Sequence, residues 1–220
     1  MKILLLEDDL DYKDSIKDYL ESLKYSVDDF EDGQDALDSI YENYYHLLIL
    51  DIRVPNLNGY ELVKQIKADN INTPIIFITS LTDINNLSLG YELGCNDYIK
   101  KPFSPKELKY RVEQLIKSFY FSTTQKYIQL NNDYFYEPLD KKLFYENKEV
   151  ELTKKEQEIV FCLISHKDQY VSIEKLRFEV WNDKFINESD IRVCIKNIRQ
   201  KSFKDFILNK RGIGYKIERA

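Results

Sequence analysis

The first half of the chain repeats one pattern. A short unbroken apolar run ends in charged or hydroxyl residues, and a longer segment follows whose apolar positions recur every three or four residues. Lys2-Ile3-Leu4-Leu5-Leu6 runs into Glu7-Asp8-Asp9, and Leu47-Leu48-Ile49-Leu50 runs into Asp51. Ile75-Ile76-Phe77-Ile78 runs into Thr79-Ser80, and Tyr98-Ile99 into Lys100-Lys101-Pro102. Continuous apolar runs of this length read as strands buried on both faces of a parallel sheet. A fifth strand, 25–30, is less apolar and suits an edge. The helical spacing predicts helices over 11–23, 34–44, 59–68 and 81–93. A last helix, 104–119, opens with Ser104-Pro105-Lys106-Glu107, a cap followed by proline at the first helical position.

Five βα units in sequence predict a doubly wound, flavodoxin-like α/β domain with a five-stranded parallel sheet. The pattern changes at Ser122-Thr123-Thr124-Gln125. Beyond this short polar link, residues 126–152 alternate in polarity and turn often, which predicts a small antiparallel sheet. Capping signals at Thr153 and Ser172, and at Asn187 or Ser189, open three helices. In the third helix Ile191, Ile195 and Ile198 form the buried stripe. Two short strands flanking Asn209-Lys210-Arg211-Gly212 then make a basic hairpin. Three helices and a hairpin describe an α+β winged helix-turn-helix. The expected organisation is one domain over 1–121, a link at 122–125 and a second domain over 126–220.

Charge separates the same two halves. Residues 1–121 carry 13 Lys and Arg against 22 Asp and Glu, net −9, whereas residues 192–220 carry nine basic against two acidic residues, net +7. An acidic front and a basic tail call for different partners, the tail for nucleic acid. No apolar run is long enough for a membrane span, and the N-terminus lacks signal-peptide character, so a cytoplasmic protein is expected. Cys95, Cys162 and Cys194 are far apart and odd in number, without metal-ligand spacing, and read as reduced thiols. His46 and His166 take no role.

The chemistry lies at the strand ends. The ligand face of an open α/β sheet lies beyond the carboxyl ends of its strands. With the first and third strands adjacent, Glu7, Asp8 and Asp51 converge there, joined by Thr79 and a lysine. Crowded carboxylates repel one another unless a cation lies among them. Hard oxygen donors suit Mg²⁺, and the ammonium suits a phosphoryl group. This constellation describes an aspartate, Asp51, that accepts phosphate. In the second half, Arg192, Lys196, Asn197, Arg199 and Lys201 on the third helix, with Lys210 and Arg211 on the hairpin, are the expected DNA contacts.

These residues together resemble the OmpR/PhoB family of two-component response regulators over nearly the whole chain. The first half carries Glu7-Asp8, Asp51, Thr79 and Lys101-Pro102. The second carries Leu152-Thr153-Lys154-Lys155-Glu156, Val180-Trp181 and Arg211-Gly212-Ile213-Gly214-Tyr215. The resemblance implies a receiver domain phosphorylated on Asp51 by a sensor histidine kinase. Asp8, Asp51 and the backbone carbonyl of Arg53 would touch Mg²⁺ beside Glu7. Lys101, rather than Lys100, would take the lysine position, and Thr79 would bond the phosphoryl group. Tyr98 would swing inward as Thr79 moves. Phosphorylation would pair two receivers through a face bearing Asp97, Glu107 and Arg111. The homodimer would bind promoter DNA, with RNA polymerase as a further partner, and any catalysis would stop at slow self-dephosphorylation. Leu87, Ser189 and Cys194 depart from the residues common at their positions. Two other readings compete: a phosphatase or phosphotransferase, which the basic tail disfavours, and a phosphorylation-independent dimeric transcription regulator, which the intact acid cluster disfavours.

Overall fold

A computed structural model describes residues 1–80, 88, 90–122, 125–130, 133–182 and 186–219. The chain divides into two compact units, Met1–Ile116 and Lys117–Ala220. In the first unit five strands alternate with helices: β1 (Lys2–Leu6), α1 (Leu10–Ser22), β2 (Ser26–Phe30), α2 (Gly33–Glu42), β3 (Leu47–Asp51), α3 (Gly59–Ala68), β4 (Ile75–Thr79) and β5 (Asp97–Lys100). The helix α4 (Pro105–Phe121) follows. Most of the helix expected over 81–93 lies outside the described residues, and residues 90–92 are helical.

All five strands are parallel, in the order β2-β1-β3-β4-β5, the doubly wound arrangement with β1 beside β3. Every residue of β3 and β4 is buried, which explains their unbroken apolar runs. Fully burying one Leu or Ile side chain contributes roughly 1.5–3 kcal/mol, so these central strands hold the sheet rigid. Leu6 lies opposite Leu50, Asp51 opposite Ile78, and Thr79 opposite Lys100. The register therefore brings Glu7, Asp51, Thr79 and Lys101 to one rim. The helices begin where the sequence offers caps: the side chain of Asp9 accepts from Tyr12 N–H, and those of Asp32 and Asn58 open α2 and α3.

The second unit holds a four-stranded antiparallel sheet, β6 (Ile128–Gln129), β7 (Tyr134–Glu137), β8 (Lys142–Tyr145) and β9 (Lys148–Glu149). Three helices follow: α5 (Lys154–Ser165), α6 (Ile173–Trp181) and α7 (Glu188–Lys201). A hairpin of β10 (Leu208–Lys210) and β11 (Gly214–Lys216) closes the unit. Thr153 and Glu156 form the expected reciprocal capping box, and Asn187 is the cap position of α7. Ile191, Ile195 and Ile198 are the buried stripe of α7. Tyr120 and Phe121, at the end of α4, pack on Phe161 within this unit. The division thus falls slightly before the polar link at 122–125. The hairpin is tied to the helices by Val171, which exchanges backbone hydrogen bonds of 2.8 and 2.9 Å with Tyr215.

Candidate functional site

At the rim of the parallel sheet, Glu7 and Asp51 face one ammonium. Lys101 Nζ lies 2.5 Å from Glu7 Oε2 and 2.5 Å from Asp51 Oδ2. Asp51 is buried at the end of β3, and its Oδ1 accepts the Arg53 N–H at 3.1 Å. Glu7 is fully buried, whereas Asp8 is exposed. Oxygen atoms of Glu7, Asp8 and Asp51 lie within 4.8 Å of one another. Two buried carboxylates and one at the solvent edge fit a hard divalent cation that keeps several waters. Of the two neighbouring lysines, Lys100 is exposed and Lys101 enters the pocket. Its ammonium also lies 4.8 Å from the centre of the Tyr12 ring, which stands edge-on to Phe103. Tyr12 was missed in the sequence; its place one turn after Asp8-Asp9 was the available signal. Asp9 is exposed and serves as a helix cap.

Burial raises the Glu7 carboxyl above its ordinary value of 4.5, against the pull of Lys101. The bonds to Asp51 and Glu7 raise the Lys101 ammonium, outweighing the burial that would lower it. Ionised Glu7 therefore opposes folding at neutral pH, and the folded protein takes up its proton before the unfolded chain does. Glu7→Gln is expected to be more stable than wild type at pH 7 without divalent cations, because it removes a buried charge that folding disfavours while Asp51 still pairs Lys101. That gap should close as pH falls toward 4.5. Denaturant midpoints of both proteins across this range check the sign.

Thr79 ends β4 with its side chain fully buried, and its carbonyl accepts the Lys101 N–H at 2.9 Å. Tyr98 is already inside, edge-on to Phe77 at 6.3 Å, with burial raising its phenol above the usual range. This structure holds the packed position. Asp97, Glu107 and Arg111 form one intrachain network. Arg111 donates to Asp97 Oδ1 at 2.9 Å and to Glu107 Oε1 at 3.1 Å. Leu87 lies outside the described residues.

In the second unit Arg192 and Lys196 are exposed on α7, Asn197 is half-buried, and Lys210 and Arg211 are exposed on the hairpin. Arg192 pairs with Glu188 at 3.1 Å, one turn away on the surface. Two of the expected DNA contacts have partners inside the unit. Arg199 turns inward and donates twice to the Ile207 carbonyl, at 3.0 and 2.6 Å. Lys201 Nζ lies 2.7 Å from Glu156 Oε2, the capping-box carboxylate of α5. Both sit at the end of α7, where the chain turns back toward the hairpin. Sequence spacing placed them off the apolar stripe but could not show this return.

Residues 3–113 match the family described as response regulator receiver domain, and residues 147–217 match the C-terminal domain of transcriptional regulatory proteins. The chain is an OmpR/PhoB-family response regulator. It is 33% identical over its whole length to the regulatory protein VanRB of Enterococcus faecalis, covering 99% of that protein. It is 36% identical to the transcriptional regulatory protein CrdR of Helicobacter pylori, over 98% of this chain and 97% of the relative. The receiver domain of the Francisella response regulator 1452 matches at 36% identity with a TM-score of 0.51, over 53% of this chain and 96% of its own. The response regulator is thus a phosphorylation-dependent transcription regulator with a flavodoxin-like receiver and a winged-helix effector domain. Its family has the architecture of a transcription factor rather than of an enzyme, works with histidine kinases and DNA, and generally binds Mg²⁺ in the receiver. No helix among the described residues is long and apolar enough to cross a membrane.

Proposed function

We propose that Asp51 is the phosphoacceptor of a cytoplasmic switch that dimerises and binds promoter DNA. The observation that carries this reading is the Lys101 ammonium held 2.5 Å from both Glu7 and Asp51 beside an exposed Asp8. Residues 1–121 receive the signal, residues 126–220 bind DNA, and residues 122–125 join them.

The Asp51 carboxylate attacks the phosphorus of a phosphohistidine on a sensor kinase. The new O–P bond forms as the P–N bond breaks, and the imidazole leaves. Asp8, Asp51 and the Arg53 carbonyl would hold Mg²⁺, which when bound neutralises charge on the phosphoryl oxygens. Lys101 changes partners, giving up a carboxylate for a phosphoryl oxygen. This needs only a small movement, because its ammonium already lies at the acceptor atom. Thr79 donates its hydroxyl to the same group from the neighbouring strand. Tyr98 fills the space left as Thr79 moves toward the phosphoryl group. Water slowly removes the phosphoryl group and resets the switch. The Asp97–Arg111–Glu107 network lies at the start of α4 and along β5, where it supplies charges for pairing with a second receiver. Two tethered effector domains then reach adjacent half-sites and gain from effective concentration.

On DNA, Arg192, Lys196 and Asn197 face the major groove, while Lys210 and Arg211 reach the backbone from the hairpin. Arg211→Ala should weaken binding of the phosphorylated protein roughly tenfold at moderate salt and flatten its salt dependence by about one counterion. Arg199→Ala should behave differently. It leaves the Ile207 carbonyl without its two donors and lowers stability by about 1–3 kcal/mol. Fluorescence anisotropy on a promoter fragment, with and without acetyl phosphate, tests the reading. Equal affinity in both conditions would defeat phosphorylation control, and an unchanged salt slope in Arg211→Ala would show that the hairpin makes no phosphate contact.

A further inference from the structure

The effector unit contains a second cluster of metal-ligating groups, remote in sequence from the acid pocket. Cys162 lies in the last turn of α5, His166 follows it by four residues as the C-cap of that helix, and Glu179 lies on α6. One ligand atom from each falls within 4.8 Å of the others. Cys162 Sγ is 3.1 Å from Glu179 Oε2, and His166 Nε2 is 3.3 Å from Glu179 Oε1. Ligand atoms bound to one tetrahedral zinc at about 2.0–2.3 Å stand roughly 3.3–3.7 Å apart. The cluster is therefore close to a zinc site before any ion enters.

The imidazole is set for this role. A carbonyl oxygen can only accept, so the 2.7 Å contact between His166 Nδ1 and the Cys162 carbonyl fixes the proton on Nδ1 when the ring is neutral. Its Nε2 then faces the Glu179 carboxylate, a contact that either a proton on that nitrogen or a bound cation satisfies. The same backbone bond is the support that metal-ligating histidines ordinarily have. Lys175 also pairs with Glu179 Oε1, at 3.7 Å from the exposed side of α6. Cys162 is buried and the His166 side chain is 18% exposed, so the imidazole side is the route by which an ion enters.

We propose that Cys162, His166 and Glu179 form a Zn²⁺ site that clamps α5 to α6 in the effector domain. Thiolate, imidazole and carboxylate together favour zinc over Mg²⁺. Binding forms Zn–S, Zn–N and Zn–O bonds and releases the thiol proton to solvent. Because α7 packs on both α5 and α6, the ion fixes the support of the recognition helix.

The test uses the full-length protein, stripped of transition metals and kept in excess Mg²⁺, titrated with Co²⁺ and then with Zn²⁺. Wild type and Cys194→Ser should show a thiolate-to-cobalt charge-transfer band with strong tetrahedral visible absorption, saturating at one equivalent and bleached by Zn²⁺. Cys162→Ala should lose the charge-transfer band. His166→Gln, whose ring is partly at the surface, should bind Co²⁺ at least ~10-fold more weakly and lose the rise in melting temperature that Zn²⁺ gives wild type. The proposal is overturned if wild type shows no thiolate band, if the band survives Cys162→Ala, or if His166→Gln titrates like wild type.

Discussion

Asp51→Asn protein incubated with acetyl phosphate and Mg²⁺ is expected to gain no phosphoryl group, while wild type gains one. The change keeps size and shape and removes only the ionised oxygen. An amide cannot form the acyl phosphate at a useful rate, and it presents a weaker partner to Lys101. The loss should be essentially complete, because neither neighbouring carboxylate combines contact with the lysine and access for a phosphodonor. Glu7 is fully enclosed and Asp8 lies at the solvent edge. Dimer formation and the phosphorylation-dependent gain in DNA affinity should vanish with it. Intact mass and sedimentation on the same samples read both effects. A phosphorylated Asp51→Asn protein would move the acceptor elsewhere on the rim.

Gly214→Val should disrupt the effector domain. Gly214 has φ +147°, a region that residues with side chains rarely adopt. A Cβ there would stand 2.0 Å from the Val171 carbonyl oxygen and 2.6 Å from its carbon, both backbone atoms. Relief requires moving the hairpin off Val171, which breaks the pair of hydrogen bonds to Tyr215. Clash, backbone strain and lost pairing together should cost about 3–5 kcal/mol. Gly212 provides the contrast. It sits at the hairpin tip with φ +76° and open space around its Cα, so Gly212→Ala pays only for backbone strain, about 1–2 kcal/mol. Thermal melts followed by circular dichroism separate the two. Phosphoryl uptake should persist in both variants, because its chemistry belongs to the receiver. A Gly214→Val protein that melts like wild type would show that the hairpin tolerates displacement.

The parts that could be read from sequence share a physical reason. Buried parallel strands write themselves as apolar runs, and the first polar residue after each run falls on the ligand-facing rim. Glu7, Asp51 and Thr79 were therefore legible in the sequence, whereas Lys101, the second lysine after its run, came from the resemblance, by its place before Pro102. The helix starts were legible too, because Thr153-Glu156 and Ser172 satisfy backbone donors locally. What failed depends on the path of the chain in space. Arg199 and Lys201 have the charge and helix position of DNA contacts, yet one reaches the Ile207 carbonyl and the other Glu156, 45 residues away. The Cys162–His166–Glu179 cluster joins two helices, and only the crossing of α5 and α6 brings Glu179 within reach. The structure joins Asp97 and Glu107 to the Arg111 guanidinium within one chain, a network that sequence position alone did not show.

The central claim is that the phosphoryl group resides on Asp51 as an acyl phosphate. Borohydride reduces an acyl phosphate to an alcohol, which converts a phosphorylated aspartate to homoserine. Wild type treated with acetyl phosphate, Mg²⁺ and then borohydride should yield homoserine at position 51 on peptide mapping, with none in the untreated control. Homoserine at another position, or a stable phosphate that borohydride leaves untouched, would contradict the account.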